Sequence, residues 1–346
     1  MMARFSARLL DWLIAIFIVC GLLWFLVTQP LLSVPDAKKL PAINQSNLES
    51  HVFNLTQSYA ANERVGSEAL TTDQYILNYF SRLGKPVVQS YSTMGGQHKN
   101  IRLKLGPKSS ERVVIGVQYL PPTDSQKQYW NPSGIAVMLE TARVLSHSEM
   151  KLPISVEFVA FASAGIAANG TLEMGSFHHA RLLHKAGIDV KLMIALQSVG
   201  VYRDELGSQQ YPFAFMRTLY PSAGSFIGLS SRLQDFSAMR LLKSSFVSIP
   251  SLPVESFSAP ENFSLVAGSD QANYWLYDYP AVQVSDLLAL RTVGWDETVP
   301  LTLNYGRMAQ VSQALFEAVR QVSKEVESAE TGYISGLVAK VTTLLN

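Results

Sequence analysis

The chain has 346 residues, with 28 Lys+Arg against 27 Asp+Glu and a formal net charge of +1. That balance gives no field to recruit nucleic acid, and 16 % charged beside 48 % hydrophobic residues excludes a disordered chain. The single cysteine, Cys20, excludes an internal disulfide, a thiolate zinc site and an iron–sulfur cluster within one chain.

No charged residue lies between Trp12 and Pro35, and Trp12 to Val27 is almost wholly apolar. As a helix this stretch spans ~30 Å of hydrocarbon, with Trp12 and Trp24 near the two interfaces. Arg4 and Arg8 precede it and Lys38 and Lys39 follow, so the expected orientation is single-pass with the amino terminus cytoplasmic. Thr28, Gln29 and Pro30 follow the apolar core where a cleavage site needs small residues, so residues 1–29 read as an uncleaved anchor in membrane lipid. The bulk of the chain is then extracytoplasmic, or periplasmic in a bacterium. Cys20 reads as a lipid-facing or packing thiol.

Residues 30–45, with Pro30, Pro35 and Pro41, read as a tether. Ser46 and Asn47 cap a helix carrying Leu48, Val52, Leu55 and Tyr59. A second helix, Thr72 to Leu83, stops at Gly84. The period then changes. Asn100–Leu105 alternates like a strand, while Arg112–Val117, Ile154–Ala162 and Lys191–Leu196 are continuous apolar runs of the buried kind. Ser133–Leu145 is a helix between them; Ala281–Val284 is a late strand and Asn304–Val326 a long amphipathic helix. Strands alternating with helices define an α/β domain, 46–325, with a mixed, largely parallel central sheet flanked by helices. Residues 326–346 read as a C-terminal amphipathic helix with Ile334, Leu337, Val338, Val341, Leu344 and Leu345 in one stripe. Packing against the domain and lying on a membrane or partner both remain open for it, since Lys340 alone supports a membrane surface.

Ligands of such sheets bind outside the carboxyl ends of the strands. Those ends are Gln118–Pro121, Ser163–Ile166 and Gln197–Gly200, with a fourth loop at Lys127–Pro132, and none supplies His, Asp, Glu or Cys. His178, His179 and His184 form a cluster whose spacings of five and six do not fit a helical metal pair, so exposed or capping roles are expected. His51, His98 and His147 read as isolated surface residues. Asp270, Asp286, Asp296 and Glu297 are expected in solvated or structural roles, with a weak carboxylate pair as the alternative, and only the resemblance set out next implies a place for them at the rim of the site. There is no Gly-x-Ser-x-Gly elbow, dinucleotide fingerprint or Walker loop.

Taken in order, HKNIRLKLG, RVVIGVQYLPP, YWNPSGIAVMLETARVL, ISVEFVAFASAG, MIALQSVGVYRDELGSQQYP and GSDQANYWLYDYPAVQVSD resemble the zinc-dependent aminopeptidases, a family that includes bacterial leucyl aminopeptidases and the related glutaminyl cyclases. The resemblance runs from about Leu48 to Val322 and implies their di-zinc exopeptidase fold. It also implies where two zinc ions would be held. The family's first His falls at Gln118 and its orienting Asp at Leu120. The bridging Asp falls at Trp130, or at Tyr129 in a shifted register. The paired glutamates fall at Ala164 and Gly165, and the next carboxylate at Gln197. The last His belongs within Leu290–Asp296, but the final histidine of the chain is His184.

The resemblance therefore implies a degenerate member with no zinc and no other cofactor, because amides, rings and glycine do not hold Zn²⁺. Without the metal no water is activated, and Ala164 cannot take its proton. The vestigial pocket is expected to comprise Gln118, Tyr129, Trp130, Ala164, Gly165, Gln197 and Arg291. Its aromatic and amide groups suit a peptide or sugar ligand, although Tyr129 and Trp130 filling the emptied metal cavity remains an equal alternative. The expected function is a catalytically inactive, membrane-anchored binding or scaffolding protein with a peptide or membrane-protein partner. The alternative is an active metallo-exopeptidase with a rearranged metal site.

Overall fold

Apolar runs too long to alternate must be covered on both faces, and the computed structural model shows how. It describes residues 2–33, 40–62, 70–94, 96–119, 132–162, 172–291 and 302–345. The helix α1 (Met2–Thr28) is followed by α2 (Gln45–Asn62) and α3 (Thr72–Leu83), then by the strands β1 (Val87–Thr93), β2 (Gly96–Leu105) and β3 (Glu111–Gln118). Next come α4 (Ser133–Ser146), β4 (Ser155–Phe161), α5 (Gly175–Lys185), β5 (Asp189–Leu196), the single turn α6 (Met216–Leu219) and β6 (Ile227–Arg232). The chain continues through α7 (Phe236–Val247), β7 (Val254–Ala259), α8 (Asp270–Trp275), β8 (Ala281–Ser285), the short α9 (Leu288–Arg291) and α10 (Tyr305–Leu345).

The eight strands form one sheet in the order β1-β2-β4-β3-β5-β8-β6-β7. Its centre, β4-β3-β5-β8, is parallel; β2 joins β4 and β6 joins β8 antiparallel, and β7 lies parallel to β6 at the edge. Every residue of β4 and β8 is buried, as the unbroken apolar runs require. One face is covered by α2, α3, α4, α7 and α10 over a core that includes Leu103, Ile115, Phe158, Ile194, Met239 and Leu315. The other face packs Val114, Phe161, Leu183, Met193 and Tyr274 beneath α5 and α8.

This second face carries a buried charge cluster. Glu157 of β4 binds Arg102 and Arg112 at 2.6 and 2.7 Å, and His179 Nε2 lies 3.6 Å away. Burial pushes the Glu157 carboxyl up, but His179 and the two guanidiniums prevail and hold it below the usual carboxylate range. His179 Nδ1 lies 2.6 Å from Tyr274 Oη, and burial lowers the pKa of its imidazole against the opposing pull of Glu157. His179 is thus a core residue at 0 % exposure rather than the exposed or capping residue its sequence implies. Nor does His51 lie on the surface: it is buried against Tyr75 and Tyr79, and desolvation lowers its pKa to about 4. His184 and His147 are exposed, and His178 stacks on Tyr91 with 4.1 Å between ring centres.

Two further expectations change. The C-terminal segment is not a separate helix, since α10 runs unbroken from Tyr305 to Leu345. The expected tether is fastened at Pro30 and over residues 40–43, while Leu32 between them is exposed. Pro30 O accepts from Arg240, Pro41 O accepts from Gln313, and Leu40 and Ile43 pack on the core. Prolines remove backbone donors but leave carbonyl acceptors, and those are what the domain captures.

Candidate functional site

The carboxyl ends of β3, β4 and β5 converge with the start of α8. The loop of α4 fits there because Gly134 lies against the end of β5; a Cβ on it would sit 2.0 Å from Gln197 O. Ser133 Oγ accepts from Val199 N at 2.9 Å, tying the same two segments together. The end of β4 is held from the other side, where Asn100 Oδ1 accepts from Ala162 N and Asn100 Nδ2 donates to Gly175 O. A side chain at Gly175 would collide with that amide, since a Cβ would lie 2.2 Å from Asn100 Oδ1.

Of the seven expected pocket residues, three are described. Gln118 ends β3, half-buried, and its Nε2 donates to Asp270 Oδ1 at 3.4 Å. Gln197 follows β5, and its Nε2 donates to Ser269 Oγ at 3.0 Å. Two amides from neighbouring strand ends therefore reach consecutive residues at the first turn of α8. Arg291 does not line an open pocket. It is 1 % exposed and donates to Gln209 Oε1, Val201 O and Phe226 O, with Tyr202 and Phe226 rings within 6 Å. It rivets the 201–226 loop to α9 because a buried guanidinium needs acceptors for its donors. Tyr129, Trp130, Ala164 and Gly165 lie outside the described residues, as do Asp296 and Glu297.

Both remaining rim carboxylates are buried. Asp286 accepts from Ser198 Oγ and from the backbone N–H groups of Gly200, Val201 and Leu288, closing the turn after β5 onto the end of β8. Burial raises its pKa while Arg291 and these donors oppose the rise. Asp270 is 2 % exposed, and burial pushes its carboxyl up to about 6 against the hydrogen bonds of Ser176 and Gln118.

These donors do not fit a di-zinc centre. Two neutral amides already directed at Asp270 and Ser269 stand at the β3 and β5 ends, and the one carboxyl they reach has its pKa raised by burial to about 6. Among the described residues no group of three or more His, Cys, Asp and Glu is placed to hold a metal ion. What the arrangement does chemically is cross-brace the strand ends through hydrogen bonds. Sequence reasoning missed Ser269 and Asn100 as parts of this brace. A Ser-Asp pair opening a helix was the available signal for the first, and nothing local pointed to the second.

Comparison with known proteins agrees with this architecture. The chain superposes on the LapA aminopeptidase of Legionella pneumophila with a TM-score of 0.55 and 15 % identity, covering 84 % of this chain and 78 % of that one. A leucine aminopeptidase precursor from Bacteroides thetaiotaomicron gives 0.56 at 12 % identity over 82 % and 99 % of the two chains. The glutaminyl cyclase of Fimbriiglobus ruber gives 0.55 at 17 % identity over 84 % and 99 %. At such identities the likeness establishes the fold: that of zinc-dependent exopeptidases, aminopeptidases and glutaminyl cyclases. No family model matches the sequence. An Escherichia coli K12 protein described as "Uncharacterized protein YfbL" is 33 % identical over 308 residues, which cover 83 % of this chain and 92 % of that protein. With that much of both chains in register, this aminopeptidase-like chain belongs to the same family as YfbL.

Proposed function

We propose that the protein is a membrane-anchored, extracytoplasmic aminopeptidase-like domain that has exchanged zinc catalysis for binding or scaffolding. The observation that carries this reading is the use of Gln118 and Gln197 as donors to Asp270 and Ser269. In a di-zinc enzyme those strand ends must present lone pairs to cations, and here they present N–H groups to oxygen. The apolar helix Leu10–Thr28 supports single-pass anchoring with the amino terminus cytoplasmic. Its domain keeps the fold for its surface, with a peptide or another membrane protein as partner.

The test uses the full chain purified in detergent after incubation with zinc. Metal content and hydrolysis of aminoacyl anilides are measured together, with glutaminyl cyclisation as a second activity. The expected result is no zinc retained above a denatured control and no turnover. Stoichiometric zinc, with turnover abolished by a chelator, would instead establish an active exopeptidase with a rearranged site.

A further inference from the structure

Both terminal helices leave the domain at the same end, and it is the end opposite the candidate site. The carboxyl ends of the central strands carry Gln118, Gln197 and Asp286; their amino ends carry Glu111, Asp189 and Ala281. The start of α7 belongs to the amino end, since Asp235 Oδ2 accepts from Ala281 N at the first residue of β8. The last turn of α1 packs here. Phe25 lies 6.1 Å from Phe236, the first residue of α7, with Arg240 over both rings. Three residues on, Thr28 O accepts from Lys243 Nζ and Ser256 Oγ, further along α7 and on β7. Going back along α1 from Thr28 to Phe25 therefore heads for the amino end, and the span before it continues beyond the domain.

The junction is a clamp. Gln29 is 0 % exposed, takes a φ of 44° and donates to Ser258 Oγ, while Gln29 O and Pro30 O accept from Lys243 and Arg240. From Leu10 to Leu23, by contrast, α1 touches nothing that buries it. A rigid joint on a spanning helix fixes the pose of the domain above the bilayer.

The path of α10 points the same way. It starts at the carboxyl end, where Asn304 N donates to Gly200 O and Gln310 to Pro250 O. By Val322–Ala329 it has reached the amino end, where it lines a cavity of about 470 Å³ with Glu111, Lys191 and Pro280. Residues 327–345 of the helix then extend ~28 Å further at 1.5 Å per residue. From Thr331 to Leu345 Lys340 is the only charge in the sequence, where Ile334, Leu337, Val338, Val341 and Leu344 recur at the spacing of one helical stripe. Helix α7 stands between α1 and α10 and packs on α10.

We infer that the protein meets the lipid bilayer at two places, with α1 spanning it and the final turns of α10 entering the leaflet beside α1, so that the Gln118–Asp270 end of the sheet faces away from the membrane. The occupant of the apolar stripe is lipid, because the helix emerges at the end from which the spanning helix also emerges. The cleft is thereby presented to soluble or protruding partners and not to lipid. This holds whether or not the cleft is catalytically silent.

The test is depth-dependent fluorescence quenching on the full chain in phosphatidylethanolamine–phosphatidylglycerol vesicles. In a Cys20→Ser background, single cysteines at Leu337, Leu344 and Leu206 carry an environment-sensitive dye, with Phe17→Cys as the reference within α1. Leu206 is 87 % exposed in the loop after β5, at the carboxyl end. Labels at Leu337 and Leu344 are expected to be quenched by doxyl-labelled lipid to an extent comparable with Phe17, and Leu206 to be quenched only by aqueous iodide. Iodide quenching at Leu337, or lipid quenching at Leu206, would overturn the inference. So would labels at Leu337 shielded from both quenchers, which would place a protein partner there. Lys243→Ala with Arg240→Ala should loosen the clamp and broaden the range of depths read at Leu206.

Discussion

The two polar clusters of the sheet differ in how much charge they bury. On the face under α5, Glu157 is buried between two arginines and a histidine. At the carboxyl ends of β3 and β5, Gln118, Gln197, Ser269 and Asp270 share hydrogen bonds in which Asp270 is the one carboxyl group. Among the described residues, opposite charges pin β2, β3 and β4 together, while the strand ends are joined by two amides, a hydroxyl and one carboxyl. A buried ion cluster is costly to break, while a neutral brace is adjustable.

The contrast sharpens into expected outcomes. Glu157→Ala strands two buried guanidiniums and should cost about 3–5 kcal/mol, read as a loss of denaturant midpoint for the full chain in detergent. A cost below about 1 kcal/mol would show the cluster to be no firmer than the brace. For Asp270 the sign runs the other way from a salt-bridged acid. Its folded pKa, about 6, lies above the unfolded value of 3.8, so protonation favours the fold below pH 3.8 and that contribution is lost as pH rises through about 6. Asp270→Asn should therefore stabilise the protein at pH 7.5 by up to about 3 kcal/mol, with the gain shrinking towards zero near pH 4. A gain independent of pH between 4 and 7.5 would break the assignment. The smallest effect belongs to Gln197→Ala, about 0.5–1.5 kcal/mol for one part-exposed hydrogen bond, with added zinc leaving the melting temperature of wild type and variant unchanged. A zinc-dependent rise in wild type that disappears in the variant would turn the brace into a metal site.

Much of the fold is legible in the chain because burial on both faces writes itself as unbroken apolar runs. Arg112–Val117, Ile154–Ala162, Lys191–Leu196 and Ala281–Val284 mark β3, β4, β5 and β8 to within one or two residues. The strands β6 and β7, IGLSSR and VESFSA, escape notice because serines interrupt the run, and those serines are used for contacts, with Ser256 reaching Thr28 O and Ser258 accepting from Gln29. The candidate site is half legible. Strand order locates Gln118 and Gln197 at the strand ends, but the partner that Gln118 finds stands 152 residues away.

By itself, then, the sequence determined the apolar span, the alternating strands and helices, and the residue types that stand at the strand ends. These are local properties, set by period, length and side-chain chemistry. Tertiary structure decided the rest. It made His179, His51 and Arg291 core residues, joined Gln118 to Asp270, turned the expected tether into a clamp, and sent both terminal helices out at one end. Each of these depends on which distant surface a residue meets. A polar side chain reads the same in sequence whether water or a buried partner satisfies it, and only packing settles which.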